Sequence, residues 1–157
     1  MNSNDQVLRE QLVTFLDCEN AHIRFEDGVK DFPAELRGRR PAGSPHSAWE
    51  LLEHLRITLS DILEFTRDPK HVSPEFPKGY WPSDEAPADD AAWDRSVAAY
   101  RRDLDALMAI ARDESVDLYK PLAHGDGQTP LRELILAIDH NAYHLGQLVM
   151  VRRMLGA

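Results

Sequence analysis

Cysteine, basic charge and long apolar runs are all scarce in this chain. Its 157 residues include one cysteine, Cys18, so no disulfide can close within the chain and a disulfide-stapled scaffold is excluded. Lysine and arginine number 18 against 27 aspartates and glutamates, a formal charge of −9. Arg39 with Arg40, and Arg152 with Arg153, are short pairs and not a basic stripe. Nucleic acid, whose phosphates call for clustered cations, is therefore not an expected partner. No uncharged apolar stretch approaches the roughly 18 residues that a membrane span needs, so no membrane partner is expected either. The first ten residues are polar and acidic, without the basic and then apolar segments of a secretory leader. With the lone cysteine, this predicts a cytoplasmic protein. No segment alternates like a strand, and no internal repeat is present.

What is there reads as one globular domain over 1–157, with 43% hydrophobic and 29% charged residues. Four segments carry helical periodicity. The first spans about Asp5 to Asp27, with Leu8, Leu12, Phe15, Leu16 and Ile23 on its apolar side, and stops at Gly28 and Pro33. The second spans about Ser47 to Thr66, with Ser47 and Glu50 forming a capping box. The third spans about Asp89 to Arg112. The fourth starts at Thr129 as N-cap with Pro130 in the first turn, and runs to about Leu155. A proline-rich connection over 68–88, which holds Tyr80 and Trp81, is long enough to predict a functional loop or a crossover. Four helices of this length, and no strands, predict an all-α four-helix bundle.

Two histidines of the fourth helix, His140 and His144, stand four apart. At about 100° per residue they share a face one turn apart, a spacing that lets two imidazoles converge on one ion. They lie on a mixed face with Ala137, Gln147 and Val151, away from the strongly apolar face of Leu131, Leu134, Ile135, Ile138, Ala142, Leu145 and Val149. Unpartnered imidazoles in a bundle seam are costly to desolvate. Either each hydrogen-bonds a buried carboxylate, or a metal satisfies both. His54, mid-helix beside the apolar stripe of the second helix, is the candidate third ligand. Glu50 and Asp61 lie on its side as candidate orienters of an imidazole N–H or as proton carriers. His22 stands with Glu19 and Glu26 at the end of a seam in which polar residues replace apolar ones; this end borders either solvent or a polar pocket. His46, His71 and His124 fall in turns and read as solvated loop residues, although the glycine-flanked loop of His124 leads into the helix carrying the pair. Tyr80 and Trp81 either wall the pocket or pack the loop onto the surface.

The runs His-Ser-Ala-Trp-Glu-Leu-Leu-Glu-His at 46–54 and Asp-His-Asn-Ala-Tyr-His-Leu-Gly-Gln-Leu at 139–148, with the segment His124 to Thr129, resemble the DinB-like (YfiT-type) superfamily. The similarity in layout covers nearly the whole chain. What it implies is an antiparallel bundle with a divalent metal held by His54, His140 and His144, zinc or nickel. It also implies enzymes among the relatives that use low-molecular-weight thiols.

Three histidines leave open positions on an ion, the arrangement of catalytic rather than structural sites. The expectation is an enzyme performing metal-assisted hydrolysis or thiol transfer on a small molecule. The alternatives are a non-enzymatic metal- or small-molecule-binding protein, or a structural bundle with hydrogen-bonded histidines. If the histidine face of the fourth helix turns inward, its apolar face is surplus unless Phe76, Tyr80 and Trp81 cover it, which predicts a homodimer.

Overall fold

A computed structural model describes residues 3–17 and 21–157. Among them there are five α-helices and no strand: α1 (Ser3–Leu16), α2 (Phe25–Val29), α3 (Ala48–Arg67), α4 (Asp90–Arg112) and α5 (Pro130–Met154). The four long helices pack on one another. The central α3 lies against both α4 and α5, and α1 closes the bundle against the same two. Cys18 and Glu19, and the readings that rest on them, lie outside the described residues.

Local chemistry explains where the helices start. The Ser47 hydroxyl accepts the Glu50 backbone N–H at 3.2 Å, and the Glu50 carboxylate accepts the Ser47 N–H at 2.7 Å, a complete capping box. Asp89 caps α4 through the Ala92 N–H at 2.6 Å, and Thr129 caps α5 through the Arg132 N–H at 3.2 Å. The core between them is mostly leucine. Leu51, Leu52, Leu55, Leu59 and Leu63 of α3 meet Tyr100, Leu104 and Leu107 of α4 and Leu134, Leu145 and Leu148 of α5, all buried.

The first segment departs from the sequence expectation. In place of one helix from Asp5 to Asp27, α1 ends at Leu16 and α2 begins at Phe25. Nine residues at about 100° each amount to half a turn in phase, so an unbroken helix would put Phe25 opposite Leu16. The break lets both be buried, with Phe25 stacked on Tyr100 at 3.9 Å between ring centroids. Arg24 pairs with Asp17 across the break, while Phe15 and Ile23 end up exposed. Gly28 permits the close seat of α2 on α5, since a Cβ there would lie 2.9 Å from Leu145 Cδ1.

The apolar face of α5 is covered differently from the expectation. Leu134 and Leu145 are core residues, and α1 and α2 pack on this helix. The long loop does not supply the cover, because Phe76 is exposed while Tyr80 and Trp81 turn to the histidines. Ile135 stays 52% exposed, and Ile138, Ala142 and Val149 are half-buried. No helix among the described residues is long and apolar enough to cross a membrane.

Candidate metal centre

His54 projects from α3, and His140 and His144 from successive turns of α5, the helix packed against it. Each offers a ring nitrogen, and the three lie within 4.8 Å of one another. His54 Nε2 stands 3.1 Å from His144 Nε2 and 3.1 Å from His140 Nε2. Two nitrogens bound to one ion at about 2.1 Å can be at most about 4.2 Å apart, and both separations fall inside that limit.

The opposite ring nitrogens determine what these contacts can be. His54 Nδ1 lies 2.7 Å from the backbone carbonyl of Tyr80, so it carries the proton and donates there. His144 Nδ1 lies 2.9 Å from the Gln147 side-chain oxygen and donates in the same way. In the neutral rings both Nε2 atoms therefore present lone pairs, and two lone pairs facing at 3.1 Å repel. A cation between them would turn that repulsion into coordination. His140 adds a second strain, because its Nδ1 is buried with no hydrogen-bond partner among the described residues. Only one neutral N–H, that of His140, can point into the cluster, so hydrogen bonding alone cannot satisfy all three rings.

The rings are held neutral. Burial lowers the His54 pKa, which the Tyr80 carbonyl only partly offsets. Burial, followed by the neighbouring His144 and His54, pushes His140 down to about 3. The adjacent Asn141 amide pulls the other way but reaches no hydrogen-bonding geometry. Burial and then His54 push His144 down to about 4. At neutral pH none of the three must lose a proton before binding a metal.

Around this cluster the proline-rich loop forms a clamp. Trp81 stacks on His54 at 3.9 Å with rings 1° from parallel, and on its other face on His46 at 3.9 Å and 15°. The Tyr80 hydroxyl donates to Asp61 at 2.7 Å, and His71 Nε2 meets the other Asp61 oxygen at 2.7 Å. Burial, reinforced by Asp61, raises the Tyr80 phenol to about 12, so it remains a donor. Asp61 thus anchors the residue whose carbonyl orients His54, and it acts at one remove from the cluster. Glu50 binds the Arg40 guanidinium at 2.9 and 2.5 Å and closes the capping box. The expectation that either carboxylate orients one of the clustered histidines directly is corrected by the Tyr80 carbonyl and Gln147, which take those places, while Asp61 bonds His71 instead.

The remaining histidines separate. His22 lies in the bend between α1 and α2 instead of in a helix; it is exposed and pairs with the carbonyl of its neighbour Ile23 at 3.0 Å. His124 Nε2 lies 2.7 Å from the Phe65 carbonyl and ties the loop before α5 to the end of α3. His46 and His71, expected in solvent, are half-buried in the loop clamp. Sequence reasoning missed His46, Tyr143, whose ring meets His144 edge-on at 4.8 Å, and the role of Gln147. Gln147 was legible in principle: it stands three residues after His144, where helical side chains meet.

A model of the DinB superfamily matches residues 19–148, which include all three clustered histidines. Comparison with curated proteins and with solved structures gives no match. The match spans most of the chain's 157 residues, so this protein belongs to the DinB superfamily.

Proposed function

We propose that the protein is a metal-dependent enzyme in which His54, His140 and His144 hold one divalent ion and a small electrophilic molecule reacts beside it. The observation that carries this reading is the facing pair of Nε2 lone pairs on His54 and His144, each imposed by an acceptor at the opposite nitrogen. A purely structural bundle would gain nothing from that repulsion, and among the described residues no carboxylate bonds any of the three rings.

A divalent ion held by three imidazoles would keep open positions and would supply acidity there, lowering the pKa of a water or a thiol toward neutrality. Tyr80 and Gln147 fix which nitrogen of His54 and His144 faces the ion. Trp81 covers one face of His54 and keeps water from it. Of the two reaction classes, thiol transfer is favoured over hydrolysis. Zinc hydrolases of the metalloprotease type recruit a carboxylate as general base, and Glu50 and Asp61 are committed to Arg40, Tyr80 and His71. Zinc and nickel both suit an all-imidazole ligand set.

A turnover screen of the zinc- and nickel-loaded protein against paired panels of low-molecular-weight thiols and electrophiles tests the reading. Thiol-dependent consumption of an electrophile, lost in His140→Ala, is the expected result. Metal binding without turnover across the panels would favour a non-enzymatic binding protein instead.

A further inference from the structure

A groove of about 380 Å³ runs along the C-terminal half of α5, between it and the loop over residues 43–46. Its size lies in the range of small-molecule sites, which are mostly apolar with a few placed polar groups. Leu51, Met150 and Met154 supply apolar surface, and no charged side chain lines it. Three of its polar members, Gln147, Tyr143 and His46, adjoin the histidine cluster or its loop clamp. Gln147 holds His144 Nδ1, the Tyr143 ring meets the His144 ring, and His46 stacks on the Trp81 that covers His54. His46 Nδ1 is also buried without a hydrogen-bond partner among the described residues.

Gly146 is the second line of evidence. It sits inside the 25-residue α5, where glycine costs about 1 kcal/mol relative to alanine. No packing constraint accounts for it, since a Cβ at this position would meet nothing within 4 Å. It lines the groove, and any larger side chain would project into open space there.

We infer that this groove binds the apolar body of a neutral substrate whose polar head reaches the histidine cluster. The inference rests on the metal-centre reading for the head and on the groove alone for the body. The uncharged lining selects the class. A phosphate or a polycarboxylate would leave its charge unpaired against this surface, in a protein already at −9. A neutral alkyl or aromatic group matches it, and the flexible Met150 and Met154 adapt to its shape. A depression of about 440 Å³ beside Arg9 offers no comparable site. It includes Arg9, Glu10, Arg112 and Glu114, and the Arg9 guanidinium is already bound to Asp5 and to the Ala111, Asp113 and Val116 carbonyls.

The test titrates protein labelled with 13C at the methionine methyls with acetohydroxamate and with octanohydroxamate. These chelators, neutral acids in solution near pH 7 that give up a proton on binding a metal, share one head and differ only in chain length. Octanohydroxamate is expected to shift the Met150 and Met154 methyls but not that of core Met108, and each added methylene to tighten binding about three- to fourfold. Acetohydroxamate should leave these methyls in place. Gly146→Leu, a favourable change for an exposed helix, should cancel the chain-length dependence while leaving metal content and acetohydroxamate affinity unchanged. Equal affinity for the two probes, or Met150 and Met154 methyls that stay put while octanohydroxamate binds, would overturn the groove assignment and leave the metal centre standing. Methyl shifts in a protein that binds neither metal nor acetohydroxamate would support the groove and sink the metal centre instead.

Discussion

Two imidazoles of the cluster, His54 and His144, depend on a partner that holds the far side, and Gln147 is the one open to a clean substitution. Gln147→Leu keeps the volume but removes the acceptor for His144 Nδ1, freeing that ring to rotate and to change tautomer. Loss of such an outer partner weakens metal binding by about 10- to 100-fold, measurable by competition with a chromophoric chelator. Unchanged affinity would mean that His144 is oriented by packing alone. A second residue-scale consequence concerns pH. Burial raises the Glu53 carboxyl, but hydrogen bonds from Arg56 and Ser96 more than offset this and leave it below the ordinary 4.5. A carboxyl whose folded pKa is depressed stabilises the fold above its unfolded pKa and loses that contribution as pH falls through the folded value. Glu53→Gln should therefore cost about 2 kcal/mol near pH 7, and the difference from the parent should shrink below pH 4.5. Denaturant melts at several pH values check the convergence, and a gap that does not narrow as pH falls below 4.5 would contradict it.

At the scale of elements, the break between α1 and α2 is the feature with the largest packing consequence. Phe25, 3% exposed and stacked on Tyr100, anchors a five-residue helix that has little stability of its own. Phe25→Ala should destabilise the protein by about 3–5 kcal/mol in chemical denaturation. A loss below 1 kcal/mol would mean that α2 is held by Gly28 and Val29 instead. The same break shows why part of the fold escapes the sequence. The α3, α4 and α5 boundaries were legible because Ser47, Asp89, Thr129 and Pro130 are local signals that need no tertiary context. The end of α1 was not, because Phe15 and Ile23 extend the helical period, and only the demand to bury both Leu16 and Phe25 interrupts it. The histidine cluster was legible through helical spacing. Its supports were not: the Tyr80 partner is a backbone carbonyl, which any residue could supply, and the Trp81 sandwich depends on the path of the loop.

At the scale of the molecule, two expectations reach beyond one chain. We infer that copies pair through the part of the α5 apolar face that the bundle leaves uncovered, around Ile135 and Ile138. Light scattering at micromolar concentration should give a dimer mass, and Ile135→Glu combined with Ile138→Glu should return a monomer. Leu145 is unsuitable for this test, since it is buried beneath α2. A monomer for the parent protein would end the idea. The metal centre is the larger matter, because the catalytic reading and the position of the groove's polar end both depend on it. Its most direct test is the metal content of protein prepared without an affinity tag, after exposure to zinc or nickel and removal of the excess. One equivalent per chain is expected in the parent. Less than about a tenth of that should remain in each of His54→Ala, His140→Ala and His144→Ala, with each variant still folded. A parent that retains no metal, or single variants that still hold a full equivalent, would contradict the account.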